Sequence, residues 1–402
     1  MRRTALVLML IFASTESTPA QIPRFKDGPD PELLSLNTCD PSGNIDEITF
    51  EPESLPIEDW LKERETRQIP MEMTIRGPEL RMDQQTSVVY LATLHLKNTK
   101  AAQDRKVVFF VGVDGADGNR LTETSVHAVS VPPQTRGEFD LSVRGCIYFR
   151  PGNYSLWIAA YDESTGKHSV QRQNVRVPEL KKDPLPLMES RLPSVRFPDY
   201  TPEETELSKT IPTTLFLPVS NKRELAVDII SLRPSLRDGI GPLTQMALKD
   251  SSISVITLDL DGQKVVYDSR ATGAFDFSDM LKAAELHKDD DRTIEVSDLL
   301  NRRDGAGYLR KFIEERIKTS DGKMHVTFVL SSPMTFERGA DMSAIQLDPN
   351  CECRLFHIRM FPFGRDDVEK ILKSPLSRRL EVNSALEFRK ALASIVRDLE
   401  TF

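Results

Sequence analysis

Seven prolines (Pro178, Pro184, Pro186, Pro193, Pro198, Pro202 and Pro212) fall within residues 178–213. Each ring removes a backbone donor and locks φ, so neither a helix nor a central strand can run through such a stretch. The chain is therefore expected to fold as separate units joined by a stiff connector over residues 179–213. Its 402 residues agree, since a domain averages roughly 150 residues.

On the N-terminal side the pattern is alternating, β-branched and aromatic. The expected strands are 71–76, 88–96, 107–113, 125–131, 138–143, 155–161 and 170–177, divided by turns at Asp114-Gly115-Ala116-Asp117-Gly118, Pro151-Gly152-Asn153 and Ser164-Thr165-Gly166. Short strands at this spacing predict an immunoglobulin-like β-sandwich over residues 71–178. The Asp114–Asp117 loop lacks the ligand run and terminal Glu of a calcium loop, so it reads as a hairpin turn.

Ahead of the sandwich, residues 21–70 are rich in Pro, Asp and Glu, with a short helix expected at 57–66 around Trp60 and Leu61. Residues 1–20 carry Arg2 and Arg3, an apolar run from Ala5 to Ala13, and Thr18-Pro19-Ala20 before Gln21. This is the pattern of a secretory signal peptide, with an uncleaved anchor as the alternative. The run is well short of the roughly 20 residues a spanning helix needs, and no second run follows, so no spanning segment is expected after cleavage.

Beyond the connector the period changes. Apolar segments at 225–232, 253–260, 324–330 and 355–360, the second forming a hairpin with 264–267 through Asp261-Gly262, alternate with helical patterns at 242–249, 278–286, 308–318, 366–373 and 385–399. The last opens on a capping box, Ser384-x-x-Glu387. The strands at 324–330 and 355–360 are apolar without alternation, as buried parallel strands are. The expectation for residues 214–402 is an open, doubly wound, Rossmann-like α/β domain, which makes the whole chain a mixed fold.

This C-terminal half resembles the von Willebrand factor A domain. The chain as a whole is similar to secreted acidobacterial proteins related to that domain, in which a β-sandwich precedes a degenerate A domain. The resembling text is Phe149-Arg-Pro-Gly-Asn-Tyr-Ser-Leu, Leu330-Ser-Ser-Pro-Met-Thr-Phe and Leu386-Glu-Phe-Arg-Lys-Ala-Leu-Ala. Metal-binding members carry Asp-x-Ser-x-Ser after the first strand, because a hard cation needs clustered oxygens. Here that segment reads Asp228-Ile-Ile-Ser231-Leu-Arg-Pro-Ser235, and Ser331-Ser332-Pro333 stands where the family places Asp-Gly. The resemblance thus implies the scaffold without its metal site, and no cofactor. Asp259, Asp261 and Asp289–Asp291 read as a hairpin tip and a helix exit.

A formal charge of −8 argues against nucleic acid, which is held through concentrated basic surface. There is no Gly-x-Ser-x-Gly elbow, His-Glu-x-x-His helix or phosphate-binding loop. His325 and His357 lie on two core strands and face one another if those strands are neighbours, either as core histidines or as a catalytic pair awaiting a nucleophile. Cys39 and Cys146 are the expected disulfide, one in an irregular segment that needs pinning and the other entering a strand. Cys351 and Cys353 read as too closely spaced for an easy bridge.

Ligand crevices of open α/β sheets lie beyond the carboxyl ends of the strands. That rule selects Ser331–Asn350, either a recognition loop carrying Phe336, Glu337 and Arg338 or a short helix packed on the sheet. The leading expectation is an exported, non-enzymatic protein, periplasmic or extracellular, that binds an envelope or extracellular protein. An exported hydrolase using His325 and His357, and a cation-dependent adhesin, are the rivals.

Overall fold

The computed structural model describes residues 35–37, 55–62, 67–98, 105–122, 124–131, 137–185, 194–197, 217–233, 236–272, 279–280, 282–283, 304–318, 323–337 and 339–401. The first unit is built from β1 (Ser35–Asn37), β2 (Met71–Leu80), β3 (Thr86–Asn98), β4 (Arg105–Gly115), β5 (Ser125–Val131), β6 (Gly137–Phe149), β7 (Gly152–Asp162), β8 (Lys167–Val177) and β9 (Val195–Arg196). One sheet has the order β1-β6-β3-β2 with β9 also on β6, and the other β5-β4-β7-β8. All pairings are antiparallel except β1 on β6.

The two sheets share one core, to which Val88, Tyr90 and Leu94 come from the first and Phe109, Val111 and Leu156 from the second. Side chains alternate along a strand, so the intervening Val108, Phe110, Trp157 and Ala159 point outward. They are covered by Trp60 and Leu61 of the helix Ile57–Lys62, which explains why β4 is apolar on both faces. Trp60 also stacks on His168 at 4.4 Å. Strand β6 runs to Phe149, beyond the expected end at Val143.

The described residues of the proline-rich connector are anchored at two places. β9 adds to the sandwich through β6, and Leu185 is buried in the core of the second unit. Arg389 donates to the Asp183 carboxylate from Nε at 2.7 Å and from its terminal nitrogen.

The second unit holds β10 (Leu217–Val219), β11 (Leu225–Ser231), β12 (Met246–Leu248), β13 (Ser252–Asp259), β14 (Lys264–Asp268), β15 (Met324–Ser331), β16 (Cys353–Met360) and β17 (Ser377–Val382). β10 and β12 pair with each other, and the rest form one mixed sheet of order β14-β13-β11-β15-β16-β17. Odd residues of β11 (Val227, Ile229) bury with Phe388, Leu392 and Ile395 of the helix Ala385–Glu400. On the other face Ile230, with Leu232 just beyond the strand, buries with Leu309 and Ile313 of the helix Gly305–Lys318.

The expected doubly wound α/β fold is not what the chain adopts. Strand accounts for 47% of the described residues and helix for 20%, in antiparallel sheets and one mixed sheet. A doubly wound sheet returns each strand through a helix. Here β13 turns directly into antiparallel β14. The passage from β15 to β16 is irregular throughout its described residues, and that from β16 to β17 holds only the four-residue helix Val368–Ile371. The helix expected at 242–249 instead spans Arg237–Thr244 and gives way to β12, whose partner β10 lies far back in the chain. Of the expected 278–286 helix, residues 279–280 and 282–283 are helical and the others lie outside the described residues. No helix among the described residues is long and apolar enough to cross a membrane.

Candidate functional site

The face of the mixed sheet turned to Gly305–Lys318 carries polar side chains among its apolar ones, and these gather into two clusters. The first centres on Asp228, fully buried in mid-β11. Its carboxylate meets His325 Nε2 at 3.1 Å, an Arg270 terminal nitrogen at 2.8 Å and Arg316 Nε at 3.3 Å. Arg270 also reaches Ser254 Oγ at 2.5 Å, and Arg316 reaches Asp268 at 3.2 Å. Burial works to raise the Asp228 carboxyl, but the His325 hydrogen bond and the charges of Arg316, His325 and Arg270 outweigh it and hold the group below its ordinary value. A carboxylate so engaged has its oxygens turned to cationic side chains. Among the described residues no group of three or more acidic, His or Cys side chains is placed to hold a metal ion. Asp259 ends β13, and Asp289–Asp291 lie outside the described residues.

The second cluster lies at the carboxyl ends of β15 and β16. Ser331 Oγ and His357 Nε2 hydrogen-bond at 2.7 Å. Both residues are buried, and burial, assisted by Arg379 and Arg359, lowers the imidazole to about 4. It is neutral at pH 7. Beside them Arg359 pairs with Asp366 at 3.1 Å and Glu381 at 3.2 Å.

His325 and His357 do not meet. The two strands are neighbours, but the register sets His325 opposite Cys353 and His357 opposite Val329. That places the histidines on one face but four residues apart, about 13 Å along the strand. His325 serves Asp228, and the hydroxyl beside His357 is that of Ser331. Serine 331 ends an apolar run in the sequence and carries no local motif, so only the strand register brings it to the histidine.

The segment after β15 is no open lid. Ile345 is buried, and Met334, Phe336 and Met342 pack against the same core. Its backbone is tied down by Asp367 N to Met334 O at 2.8 Å, Phe336 N to the Asp367 carboxylate at 3.3 Å, and Ile345 N to Ile371 O at 2.7 Å. Phe336 is thus largely a packing residue. Glu337 is exposed, and Arg338 lies outside the described residues.

Exposed aromatic surface occurs instead one strand over, in Phe361-Pro362-Phe363-Gly364 directly after β16. Phe363 is 77% exposed and Phe361 46%. Phe361 holds a φ of 51°, and Gly364 one of 100°. A bulky side chain at positive φ costs about 1–2 kcal/mol. The surroundings impose it: Phe361 N donates to Val382 O at 2.7 Å, Phe363 N to Phe361 O at 2.7 Å, and Arg359 to Gly364 O at 2.7 Å. The buried Arg359 cluster therefore clamps a turn that displays two phenylalanines. The sequence marks this spot with an aromatic-Pro-aromatic-Gly run at a strand exit, a turn signal whose side chains had no forecast direction.

Cys146 is disulfide-bonded, and Cys39, its expected partner, lies outside the described residues. Cys351 and Cys353, read from the sequence as too close, are bridged, with Cα atoms 5.3 Å apart. Residues two apart on extended backbone point to one side, and the turn at Asp348–Cys351 leading into β16 draws them together.

No protein-family model matches this chain. No curated protein matches it either. Among solved structures, a family 123 glycoside hydrolase from Clostridium perfringens overlaps at TM-score 0.27 and 8% identity, over 72% of this chain and 64% of its own. Bacteroides uniformis beta-glucuronidase overlaps at TM-score 0.21 and 9% identity, over 73% of this chain and 36% of its own. A protein of Arabidopsis thaliana known from its solution structure overlaps at TM-score 0.18 and 12% identity, over 28% of this chain and 87% of its own. Overlaps this weak carry no statement about fold or activity.

Proposed function

We propose that this chain is an exported, non-enzymatic protein that binds another protein through the Phe361–Gly364 turn. The observation that carries the reading is a pair of exposed phenylalanines on a turn held at positive φ by a buried arginine. Backbone strain persists only where its surroundings impose it, and such places cluster at functional sites. Aromatic side chains on a rigid mount supply large contact area at small entropic cost, as interface anchors do. The turn sits directly beyond the carboxyl end of β16, a strand paired in parallel on both sides. The partner suited to it presents an apolar pocket.

Catalysis by Ser331 and His357 fits less well. A nucleophile must be reached by substrate, whereas both residues are sealed, and an imidazole lowered to about 4 is a weak base at neutral pH. The test is recovery of partners from an envelope extract by the wild-type protein and by Phe361→Ser/Phe363→Ser. Loss of a central aromatic anchor typically costs more than about 2 kcal/mol, so at least tenfold weaker recovery is expected. Equal recovery of every partner by both proteins would overturn the reading.

A further inference from the structure

We propose that Cys351–Cys353 is a redox-active disulfide that accepts two electrons from a cysteine pair of a protein or peptide docked in the cleft beside it. Both cysteines line a cleft of about 370 Å³ at the amino ends of β15 and β16, together with Ile317, Lys318, Lys323 and Leu347. This is the end of the sheet opposite the phenylalanine turn, so the inference stands apart from the proposed function. The two sulfurs are unequal in access: Cys351 is partly exposed, whereas Cys353 is 1% exposed. One sulfur can be attacked and the other can leave.

A bridge between residues two apart closes almost no loop, so it constrains the unfolded chain far less than a long-range bridge does. Stabilisation by cross-linking is thus a poor reason for its presence, and chemistry is a better one. The cleft mixes charges, Lys318 and Lys323 with Glu314, Asp348 and Glu352, so access rather than local charge distinguishes the two sulfurs. Ile317 and Leu347 give the cleft an apolar wall for a peptide.

The exchange balances. A partner thiolate attacks Cys351 Sγ, the Cys351–Cys353 bond breaks, and Cys353 leaves as a thiolate that takes up a proton. The partner's second thiol loses its proton and attacks the partner sulfur of the mixed disulfide. Cys351 is released and protonated. The partner ends as a disulfide and this chain as a dithiol, with two electrons and two protons transferred.

The experiment treats the folded full chain with dithiothreitol, alkylates it at intervals and maps the labelled cysteines by mass, with circular dichroism recorded alongside. Exposed bridges are the labile ones, so the Cys351–Cys353 pair is expected to label at least about tenfold faster than Cys146, with the fold intact. In a second arm, Cys353→Ser and Cys351→Ser, each left with one thiol of the pair, are offered a single-cysteine peptide activated as a mixed disulfide with 5-thio-2-nitrobenzoate, so that the remaining thiolate attacks the peptide sulfur and thionitrobenzoate leaves. Cys353→Ser should trap it as a mixed disulfide at least about tenfold more than Cys351→Ser, following the difference in access. Reduction only in denaturant, or equal trapping by the two variants, would overturn the proposal.

Discussion

Asp228 gathers more charge than any other buried residue of the mixed sheet: two arginines and a histidine converge on a carboxylate with no exposure. Breaking a fully buried pair typically costs about 3–5 kcal/mol, and the partial exposure of Arg270 and Arg316 brings the expectation for Asp228→Asn toward about 2–3 kcal/mol. The pH dependence has a definite sign. The folded carboxyl titrates below the ordinary value of 3.8, so its contribution is complete above that value and is lost as pH falls through the lower, folded one. Urea midpoints for wild type and Asp228→Asn should therefore differ most near neutrality and converge in strong acid. A gap independent of pH would show that lost packing, not charge, sets the cost. None of this was legible locally, because Asp228 and His325 are 97 residues apart and meet only through the β11–β15 register.

At the scale of elements, the short helix Ile57–Lys62 has an effect out of proportion to its six residues. Trp60 and Leu61 cover the outer face of β4 and β7, where Phe110 and Trp157 would otherwise meet water. Truncating a buried aromatic costs roughly 3–5 kcal/mol, so Trp60→Ala should lower the sandwich's stability by about that much. Chemical denaturation followed by the fluorescence of the remaining Trp157 checks it. A loss under about 1 kcal/mol would mean the helix does not cover that face in solution. The two-sided apolar run of β4 was visible in the sequence, yet its cause was not, because what covers an outer face is a long-range question. The helix Ala385–Glu400 behaves oppositely. Its start was readable from the capping box, and Ser384 Oγ accepts from Glu387 N at 3.3 Å while Glu387 accepts from Asn383 N at 2.7 Å. Such a cap needs only residues within one turn.

Across the whole molecule, the two units touch through more than the connector. Gln84 Nε2 donates to Ala385 O at 3.1 Å, Met82 packs on the second core, and Asp183 and Leu185 dock on it from the connector. Burial works to raise the Asp183 carboxyl, and the Arg389 fork overrides it, holding the group below its ordinary value. Hydrogen bonds to charged groups contribute roughly 1.5–3 kcal/mol, so Arg389→Ala should weaken the coupling by about that amount. Calorimetry of the full chain is expected to show one broad transition splitting into two. Arg389→Lys should restore the coupling only in part, since an ammonium lacks the planar fork. An unchanged thermogram for Arg389→Ala would show that the units already unfold independently.

Sequence alone determined the alternation that makes residues 71–177 largely strand, the apolar strands at 324–330 and 355–360, the hairpin of β13 with β14, and the cap at Ser384. Each depends on neighbours a few residues away, whose period and turn chemistry are written locally. Only the tertiary structure decided that Met246–Leu248 is strand rather than helix, and that His357 meets Ser331 rather than His325. The same holds for the exposure of Phe363 and the burial around Phe336. These outcomes depend on strand order and register between distant segments. A shift of one residue there turns every side chain to the other face, and no local pattern encodes that choice.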